Sequence, residues 1–370
     1  MSPLLARAGG GPPWCGARRP GGLRSAVGGM RTLVVGAGAL GGLIAARLRA
    51  SRAPVSIATR DEASAAALRA SGLRVGGVGG SVTVEAGEVA PTAAYRGSEP
   101  FELVLLATKA QDAIAVAPAA AALLVPGGTL LPIQNGGVAE ALGQRLGADR
   151  VLGGLSNLGA TLIAPGVYEQ RNAGHLLVGE LGGGESTRAE RIGRWLGRAV
   201  EVRLTANLRG AVWSKLLLNC SVTTLGAIAG RTMRQYLSLP AGRAAFDRAY
   251  DEALSVAFAA GARPERMLVD PVPPGWSGRS VPGPVHDAWL DQVLMGYGDV
   301  KPSMLQDFER GRTTEIDFVN GYVVRTGRTA GVPTPANAAI VEIVHAITRG
   351  ELAPSPALLE RVAATSPARR

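Results

Sequence analysis

A glycine-rich loop between a short apolar run and a helical pattern constrains the fold of this chain most strongly. The run Thr32–Val35 leads directly into Gly-Ala-Gly-Ala-Leu-Gly-Gly at 36–42, and a helix is predicted over Ala39–Ala50. Glycines at these positions allow a tight turn and let a phosphate approach the N–H groups at the positive end of the helix. The loop therefore predicts the first unit of a dinucleotide-binding domain. The alternative is an ordinary turn in a chain with 51 glycines.

Short apolar runs alternate with helical patterns from residue 31 to about residue 205, which is typical of a parallel α/β sheet. After about residue 207 the pattern changes to long helices with almost no strand signal. We therefore expect an α/β Rossmann-type dinucleotide-binding domain at 30–205, followed by an all-α C-terminal domain at 206–350. The interval 264–298 is rich in Pro and Gly, and an irregular insertion between helices is expected there. The predicted strands are 32–35, 55–59, 103–107 and 129–133, and the predicted helices of the first domain are 39–50, 113–124 and 186–196.

The two ends of the chain lack a periodic pattern. Residues 1–29 are rich in Gly, Pro and Arg, and Met30 stands immediately before the first predicted strand. We expect 1–29 to be a disordered or untranslated tail. Residues 351–370 are rich in Pro and Ala, and a flexible tail is expected there.

Composition argues against several classes of function. The net charge is +10, but the basic residues are scattered among acids without a basic run, so nucleic-acid binding is not expected. A membrane span is not expected, because the sequence has no run of 18 uncharged apolar residues. Cys15 and Cys220 cannot form a disulfide framework, which fits a reducing cytoplasm. We expect a cytoplasmic protein without a metal site that acts on a small molecule, with a homodimer possible but no seam evident.

The residues after the second strand indicate which dinucleotide binds. An NAD site has Asp or Glu at the end of this strand, about 20 residues after the glycines, to bind the ribose 2′-hydroxyl. This chain has Thr59 and Arg60 there. Asp61 and Glu62 lie beyond the strand end. A guanidinium suits a 2′-phosphate because it donates two charge-assisted hydrogen bonds, so we expect NADP (as NADPH) rather than NAD.

Polar side chains also follow two further predicted strands. Lys109 and Gln111 come after the strand at 103–107, and Gln134 and Asn135 come after the strand at 129–133. Ligands bind at the carboxyl ends of strands in sheets of this type. An Asn-Gly turn alone is often ordinary loop chemistry. Beside the glycine loop, these residues become candidates for the site.

Lysine is rare in this chain, since 36 of the 39 basic residues are arginines. The lysines are Lys109, Lys215 and Lys301. Arginine stays protonated, whereas a lysine amine can lose its proton when burial lowers its pKa. Lys215 lies in a stretch without any other charge, and Asn219 shares its helix face. Lys215 is therefore a candidate general acid. The alternative is a lysine whose stem packs while its ammonium reaches solvent.

Glu315 is a second candidate for the chemistry. A helix through this position places it on one face with Val319 and Tyr322, a mainly apolar side. A carboxylate there needs a partner, and the buried amine of Lys215 is the natural one. The alternative is an acid in the first turn of a helix, where the helix dipole favours it.

Together these residues resemble the ketopantoate reductase (2-dehydropantoate 2-reductase) family. The resemblance covers about residues 31–350 and depends on motifs in a fixed order, of which the last two are the most specific. The motifs are the glycine loop with Arg60, Thr-Lys-Ala-Gln at 108–111, Gln-Asn-Gly at 134–136, Trp-x-Lys-x-x-x-Asn at 213–219, Ser-Met-Leu-Gln-Asp at 303–307 and Gly-Arg-x-Thr-Glu-Ile-Asp-x-x-Asn-Gly at 311–321.

The resemblance implies NADPH-dependent reduction of ketopantoate to pantoate, a step of pantothenate and coenzyme A biosynthesis. It implies that Lys215 protonates the 2-keto oxygen, and that Glu315 positions Lys215 and binds the substrate hydroxyl. The residues implied for the substrate are Asn135, Asn219, Ser303 and Thr223. Those implied for the cofactor are Gly36, Gly38, Ala39, Leu40, Gly41, Arg60, Lys109, Gln111, Asn135 and Glu315.

Two departures leave the substrate open. Thr223 stands where the family often has a further asparagine, and the interval 264–298 is longer than in the short members. The alternatives are a related NAD(P)-dependent 2-hydroxyacid or opine-like dehydrogenase, and a non-catalytic NADPH-sensing protein. A sensor has no need for Lys215 and Glu315 in opposing apolar helices, which disfavours it. Lys301 has no role beyond its proximity to Ser303.

Overall fold

The computed structural model describes residues 29–267 and 269–365. The expectations for 1–28 and 366–370 fall outside the described residues. The described chain forms an α/β domain followed by an all-helical domain, which confirms the predicted fold class. No strand follows residue 204 among the described residues.

The strands are β1 (Thr32–Val35), β2 (Val55–Thr59), β3 (Leu73–Gly77), β4 (Val82–Val84), β5 (Val89–Pro91), β6 (Phe101–Leu106), β7 (Leu124–Pro132), β8 (Leu152–Ser156), β9 (Ala160–Ala164), β10 (Val167–Gln170), β11 (Leu176–Glu180) and β12 (Val202–Leu204). The helices are α1 (Ala39–Ala50), α2 (Glu62–Ser71), α3 (Ala110–Ala121), α4 (Val138–Leu146), α5 (Thr187–Leu196), α6 (Leu208–Leu218), α7 (Thr224–Ala229), α8 (Met233–Leu237), α9 (Pro240–Ala259), α10 (Pro284–Tyr297), α11 (Ser303–Glu309), α12 (Asn320–Ala330), α13 (Pro335–Thr348) and α14 (Leu358–Ala363).

The central sheet of the first domain is parallel, with strand order β5-β2-β1-β6-β7. Its middle strands are buried on both faces, which is why they read as continuous apolar runs. Val34 belongs to the core on one face, and its neighbours Leu33 and Val35 belong to the core on the other. Parallel pairing brings the carboxyl ends of β1, β2, β6 and β7 to one edge, where the glycine loop and the polar residues after each strand meet.

Two smaller sheets extend this domain, with strand orders β4-β3-β10-β9 and β12-β11-β8. The first of them covers α1 at close range. A Cβ added to Gly42 on α1 would lie 1.9 Å from the Tyr168 ring of β10. The Tyr168 hydroxyl donates to Ala37 O at 3.2 Å, so glycine at position 42 lets this strand support the glycine loop from outside.

The core of the second domain surrounds one long helix, formed by α6, a widened π-helical turn at Asn219–Thr223, and α7. Among the described residues, this helix alone (Leu208–Ala229) is long and apolar enough to cross a membrane. However, 78% of its apolar window is buried inside the protein. Its apolar character is therefore accounted for by its central place in the helical core.

Two segments differ from the sequence-based expectation. The second half of the interval 264–298 is the helix α10, which starts with Pro284 in its first turn and buries Trp289 and Val293. Pro is well suited to the first turn of a helix, so the Pro/Gly density preceding it concealed the helix. Part of the expected flexible tail forms α14, whose Leu359 is fully buried and packs in the helical core.

Candidate active site

The glycine loop after β1 has the geometry of a phosphate cradle. Gly36 has φ +101°, a left-handed conformation that favours glycine. A Cβ at Gly41 would lie 2.0 Å from Gly36 O, so side chains are excluded from the inside of the turn. Beside Gly38 only one atom lies within 4 Å of such a Cβ, and no side chain caps the N-terminus of α1. The loop therefore fits a dinucleotide, since open space faces N–H groups that lack a side-chain cap.

Arg60 and Asp61 follow β2 and have different roles. The Arg60 side chain is 89% exposed, and its Nε lies 3.2 Å from Asp61 Oδ2. Asp61 caps α2 by accepting from Ser64 N at 2.8 Å. The hydrogen bonds from Ser64, together with Arg60, lower the pKa of Asp61 to about 2. Asp61 is thus engaged at the helix end, while the guanidinium of Arg60 is accessible at the edge of the sheet.

A cavity of about 200 Å³ lies between the two domains, at the edge of the sheet where β6 and β7 end. It brings together Leu40 of the glycine loop, Asn135 after β7, and the two candidates for the chemistry, Lys215 and Glu315. These four predicted residues, which are distant in sequence, therefore meet at one place.

Lys215 reaches this cavity from α6. The residue is half-buried, and its ammonium donates to the backbone carbonyl of Ser156 at the end of β8. Burial lowers the pKa of Lys215 from 10.5 to about 8, and the negative charge of Glu315 partly opposes this. The positive charge of Lys215 also contributes, after burial and Arg203, to a pKa of about 4 for His175. An amine with a pKa near 8 can hold and release a proton at neutral pH.

Glu315 faces Lys215 from the other side of the cleft. Its carboxylate accepts from Ala110 N at 2.8 Å, at the N-terminus of α3. Burial raises the pKa of Glu315, and the bond from Ala110 is the largest of the effects that lower it. Glu315 and Lys215 do not form a direct ion pair, so the expected pairing was wrong in its geometry. The negative carboxylate is instead held by the positive end of a helix.

The backbone around Glu315 also differs from the prediction of a continuous helix. Glu315 precedes a short 3₁₀ turn at Ile316–Phe318, and α12 begins only at Asn320. The face shared with Val319 and Tyr322 therefore does not exist as predicted. Tyr322 instead donates from its hydroxyl to Glu140 of the first domain.

Lys109 links the two domains. Its ammonium donates to Asp307 Oδ1 at 3.0 Å and to Thr313 O at 2.6 Å. Its predicted place along the nicotinamide stays a prediction, because in this structure the side chain is directed to the second domain. Gln111, on the first turn of α3, has a buried Oε1 without a hydrogen-bond partner among the described residues.

The other predicted substrate residues lie outside the cavity lining. Asn219 begins the π-helical turn and Thr223 ends it. Ser303 is exposed at the first residue of α11. Lys301 forms an exposed ion pair with Glu309 at 2.7 Å, which gives it an ordinary surface role. The roles of Asn219, Thr223 and Ser303 stay predictions.

Two further residues line the cavity, of which the sequence indicates Gln134 but not Ser156. Gln134 donates from Nε2 to Leu106 O at 3.0 Å and to Thr108 O at 2.9 Å, so its amide joins the ends of β6 and β7. Its position after a strand was a usable signal. Ser156 contributes a backbone carbonyl to Lys215, and a backbone acceptor has no signature in side-chain types.

Both domains of this chain match a known protein family in sequence. Residues 32–183 match the ketopantoate reductase PanE/ApbA family, and residues 207–348 match the C-terminal domain of that family. The chain is 29% identical over 354 residues to a 2-dehydropantoate 2-reductase of Mesorhizobium japonicum, covering 87% of this chain and 99% of that protein.

Solved structures share the fold. A PanE/ApbA family ketopantoate reductase from Ralstonia eutropha JMP134 superimposes with a TM-score of 0.71 at 25% identity, over 86% of this chain and 99% of that one. A D-mandelate dehydrogenase bound to NADH and anilino(oxo)acetate gives a TM-score of 0.72 at 20% identity, over 86% and 99% of the two chains. The latter likeness concerns the fold alone. The two family matches span both domains, and the chain therefore belongs to the ketopantoate reductase family, whose members are oxidoreductases that act on CH–OH groups with a nicotinamide dinucleotide.

Proposed function

We propose that this protein reduces ketopantoate to pantoate with NADPH, in the cytoplasm, as a step of pantothenate biosynthesis. The observation that carries the proposal is the cavity between the domains. There a desolvated lysine amine, a carboxylate and an amide meet beside the glycine loop. Relatives named 2-dehydropantoate 2-reductase support the same reaction.

Lys215 is the proposed proton donor. A 2-keto group gains negative charge on its oxygen as it is reduced, and NADPH, when bound, supplies the hydride to the 2-keto carbon. Lys215 Nζ would donate its proton to that oxygen, because its lowered pKa makes the amine a stronger acid than a solvated lysine. The Ser156 carbonyl holds the amine in place for this step.

Glu315 and Asn135 are proposed to orient the substrate. Glu315 is held by Ala110 N, which leaves its carboxylate fixed at the cavity. It would accept a hydrogen bond from the substrate hydroxyl, and Asn135 would donate to the substrate from the carboxyl end of β7. Asn219, Thr223 and Ser303 are proposed to complete the substrate site.

The preference for NADPH depends on Arg60. Its exposed guanidinium lies where β2 ends, and the neighbouring carboxylate of Asp61 is engaged in capping α2. A 2′-phosphate on the adenine ribose would therefore meet a cation there, whereas a free 2′-hydroxyl would meet no dedicated acceptor. Lys109 and Gln111 are proposed to contact the nicotinamide half.

A related 2-hydroxyacid dehydrogenase is the second candidate. The observation that favours it is Thr223, which stands where the family often has an asparagine, so the proposed substrate site has one amide fewer. The fold does not decide between the two, because a D-mandelate dehydrogenase shares it. A non-catalytic NADPH sensor is disfavoured, because burying an amine beside a carboxylate is unfavourable without a chemical use for the pair.

Steady-state oxidation of NADPH and NADH across a panel of 2-keto acids separates these candidates. We expect the highest kcat/KM with ketopantoate and NADPH. A higher value with an aryl or unbranched 2-keto acid would instead assign the second candidate. Tight NADPH binding without turnover of any 2-keto acid would contradict both enzyme assignments and support the sensor.

A further inference from the structure

We propose that Asn320 is a positioning residue that ties the segment carrying Glu315 to the helix carrying Lys215. This inference depends on the proposed function for its effect on activity. Asn320 lies five residues after Glu315 and is fully buried. It contacts neither the cavity nor Lys215, so it acts through the backbone that it holds.

The helix that carries Lys215 widens into a π turn four residues after that lysine. The π-helical turn at Asn219–Thr223 makes Asn219 O accept from Thr224 N, five residues ahead instead of four. Asn219 O also accepts from the hydroxyls of Thr223 and Thr224, both at 2.9 Å. Hydroxyl side chains that bond back to the helix compete with its regular pattern. Widened turns of this kind are frequent at functional sites.

Side chains from two other helices compensate for the carbonyls that the π turn displaces. Asn320 Nδ2 donates to Cys220 O at 3.1 Å. The Tyr236 hydroxyl donates to Ser221 O at 2.9 Å. Because buried carbonyls without partners are unfavourable, these bonds stabilise the widened turn and with it the direction of the helix between Lys215 and Asn219.

Every hydrogen-bonding group of the Asn320 side-chain amide has a partner. Besides Cys220, its Nδ2 donates to Asn337 Oδ1 at 2.9 Å, and its Oδ1 accepts from Thr224 Oγ1 at 3.0 Å. Both N–H groups and the oxygen therefore have partners, which fixes the orientation of the amide. Two of the three bonds go to the helix of Lys215, and none goes to its own segment.

Asn337 anchors the same network from the opposite side. Its side chain donates to Ala249 O at 3.1 Å and to Glu252 Oε2 at 2.9 Å. Asn337 forms no hydrogen bond with the π turn, and its hydrogen bond to the segment of Glu315 is the one that it accepts from Asn320. It is therefore a matched control: its loss weakens the network but leaves the bonds from Asn320 to Cys220 and Thr224 in place.

The distance between Lys215 and Glu315 provides a readout, because the charge of Glu315 raises the pKa of Lys215. Among the described residues, His175, which directly precedes β11, also interacts with the charge of Lys215, and Lys109 and Asp307 interact with the charge of Glu315. None of these groups contacts Asn320. Loss of the Asn320 hydrogen bonds should therefore lower the pKa of Lys215, because Glu315 would move away from the amine and stabilise its charge less.

The test uses the full chain labelled with ¹³Cε-lysine, whose few lysine signals are assigned with Lys109→Arg and Lys301→Arg. The pKa of Lys215 is titrated by NMR in the wild type, Asn320→Leu and Asn337→Ala. We expect Asn320→Leu to lower this pKa by about half a unit or more. We also expect kcat to fall about tenfold or more, whereas Asn337→Ala leaves both near the wild-type values. Equal effects of the two variants on the pKa would overturn the proposal.

A second variant keeps the test informative if Asn320→Leu fails to fold. Thr224→Val is nearly isosteric and removes the hydroxyl that Asn320 Oδ1 and Asn219 O share as a donor. It should lower the pKa of Lys215 in the same direction, and an unchanged pKa would contradict the proposal. The titration does not require turnover. A wild type that reduces no 2-keto acid would therefore contradict the proposed function, while the NMR result still decides the role of Asn320.

Discussion

Replacing Lys215 with methionine should stabilise the folded protein at neutral pH. The lysine carries a charge that burial disfavours, since its pKa falls from 10.5 to about 8 on folding. A shift of about 2.5 units corresponds to roughly 3 kcal/mol of destabilisation when the amine is charged in both states. Methionine has a similar length and carries no charge, so it removes this desolvation penalty. It also loses the hydrogen bond to Ser156 O. That bond has a charged donor at neutral pH and contributes about 2 kcal/mol, so the net gain expected is about 1 kcal/mol.

The gain should depend on pH in a defined direction. Below pH 8 the amine is protonated in the folded and the unfolded protein, so the wild type carries the full penalty. Between pH 8 and 10.5 the folded protein holds fewer protons than the unfolded chain, and stability of the wild type rises with pH. At pH 9.5 the penalty falls to about 1 kcal/mol, and the advantage of methionine should disappear.

Urea denaturation of both proteins at pH 7 and pH 9.5 measures this effect, with the shift in midpoint as the observable. Lys301→Met is the matched control, because Lys301 is exposed and pairs with Glu309 at the surface. It should change stability by less than about 0.5 kcal/mol at both values of pH. A Lys215→Met variant that is less stable than the wild type by the same amount at pH 7 and pH 9.5 would refute the claim of a desolvated ammonium.

Three other substitutions test separate parts of the structure. Arg60→Ala should raise the KM for NADPH about tenfold or more and leave the KM for NADH nearly unchanged, because it removes a phosphate contact; equal changes in both would count against the NADP assignment. Gly41→Ala should weaken cofactor binding, measured by NADPH fluorescence, because its Cβ would lie 2.0 Å from Gly36 O. Gly76→Ala is the control and should bind NADPH normally, since no atom lies within 4 Å of the added Cβ. Leu359→Ala should lower the free energy of unfolding by about 3 kcal/mol in urea denaturation, because Leu359 is fully buried; a loss below about 0.5 kcal/mol would show that α14 contributes little to the fold.

The local parts of this molecule are visible in its sequence. The strand Thr32–Val35 and the helix Ala39–Ala50 have the predicted bounds, because apolar periodicity and glycine geometry act over a few residues. Lys215 was identifiable because it is the only charged residue in an apolar stretch, where a lysine is expected to be at least partly buried. Asn135 was identifiable because parallel strands bring their carboxyl ends together.

Parts that depend on contacts between distant segments were not predictable. Glu315 is held by Ala110 N, some 205 residues away in sequence, so the sequence pattern suggested a helix and an ion pair that do not form. The π turn after Lys215 needs Asn320 and Tyr236 from other helices. Helix α14 exists because Leu359 packs in the helical core, and nothing in its Pro-rich surroundings indicates that contact.

The pH dependence of NADPH-driven ketopantoate reduction by the wild type and Lys215→Arg tests the central claim most directly. Arginine keeps the positive charge but does not release its proton at working pH. The wild-type kcat/KM should fall as the pH rises through about 8, where Lys215 loses its proton. Lys215→Arg should bind NADPH with nearly unchanged affinity and lose kcat by about 10²-fold or more. A variant that retains the wild-type kcat would contradict the assignment of Lys215 as the proton donor.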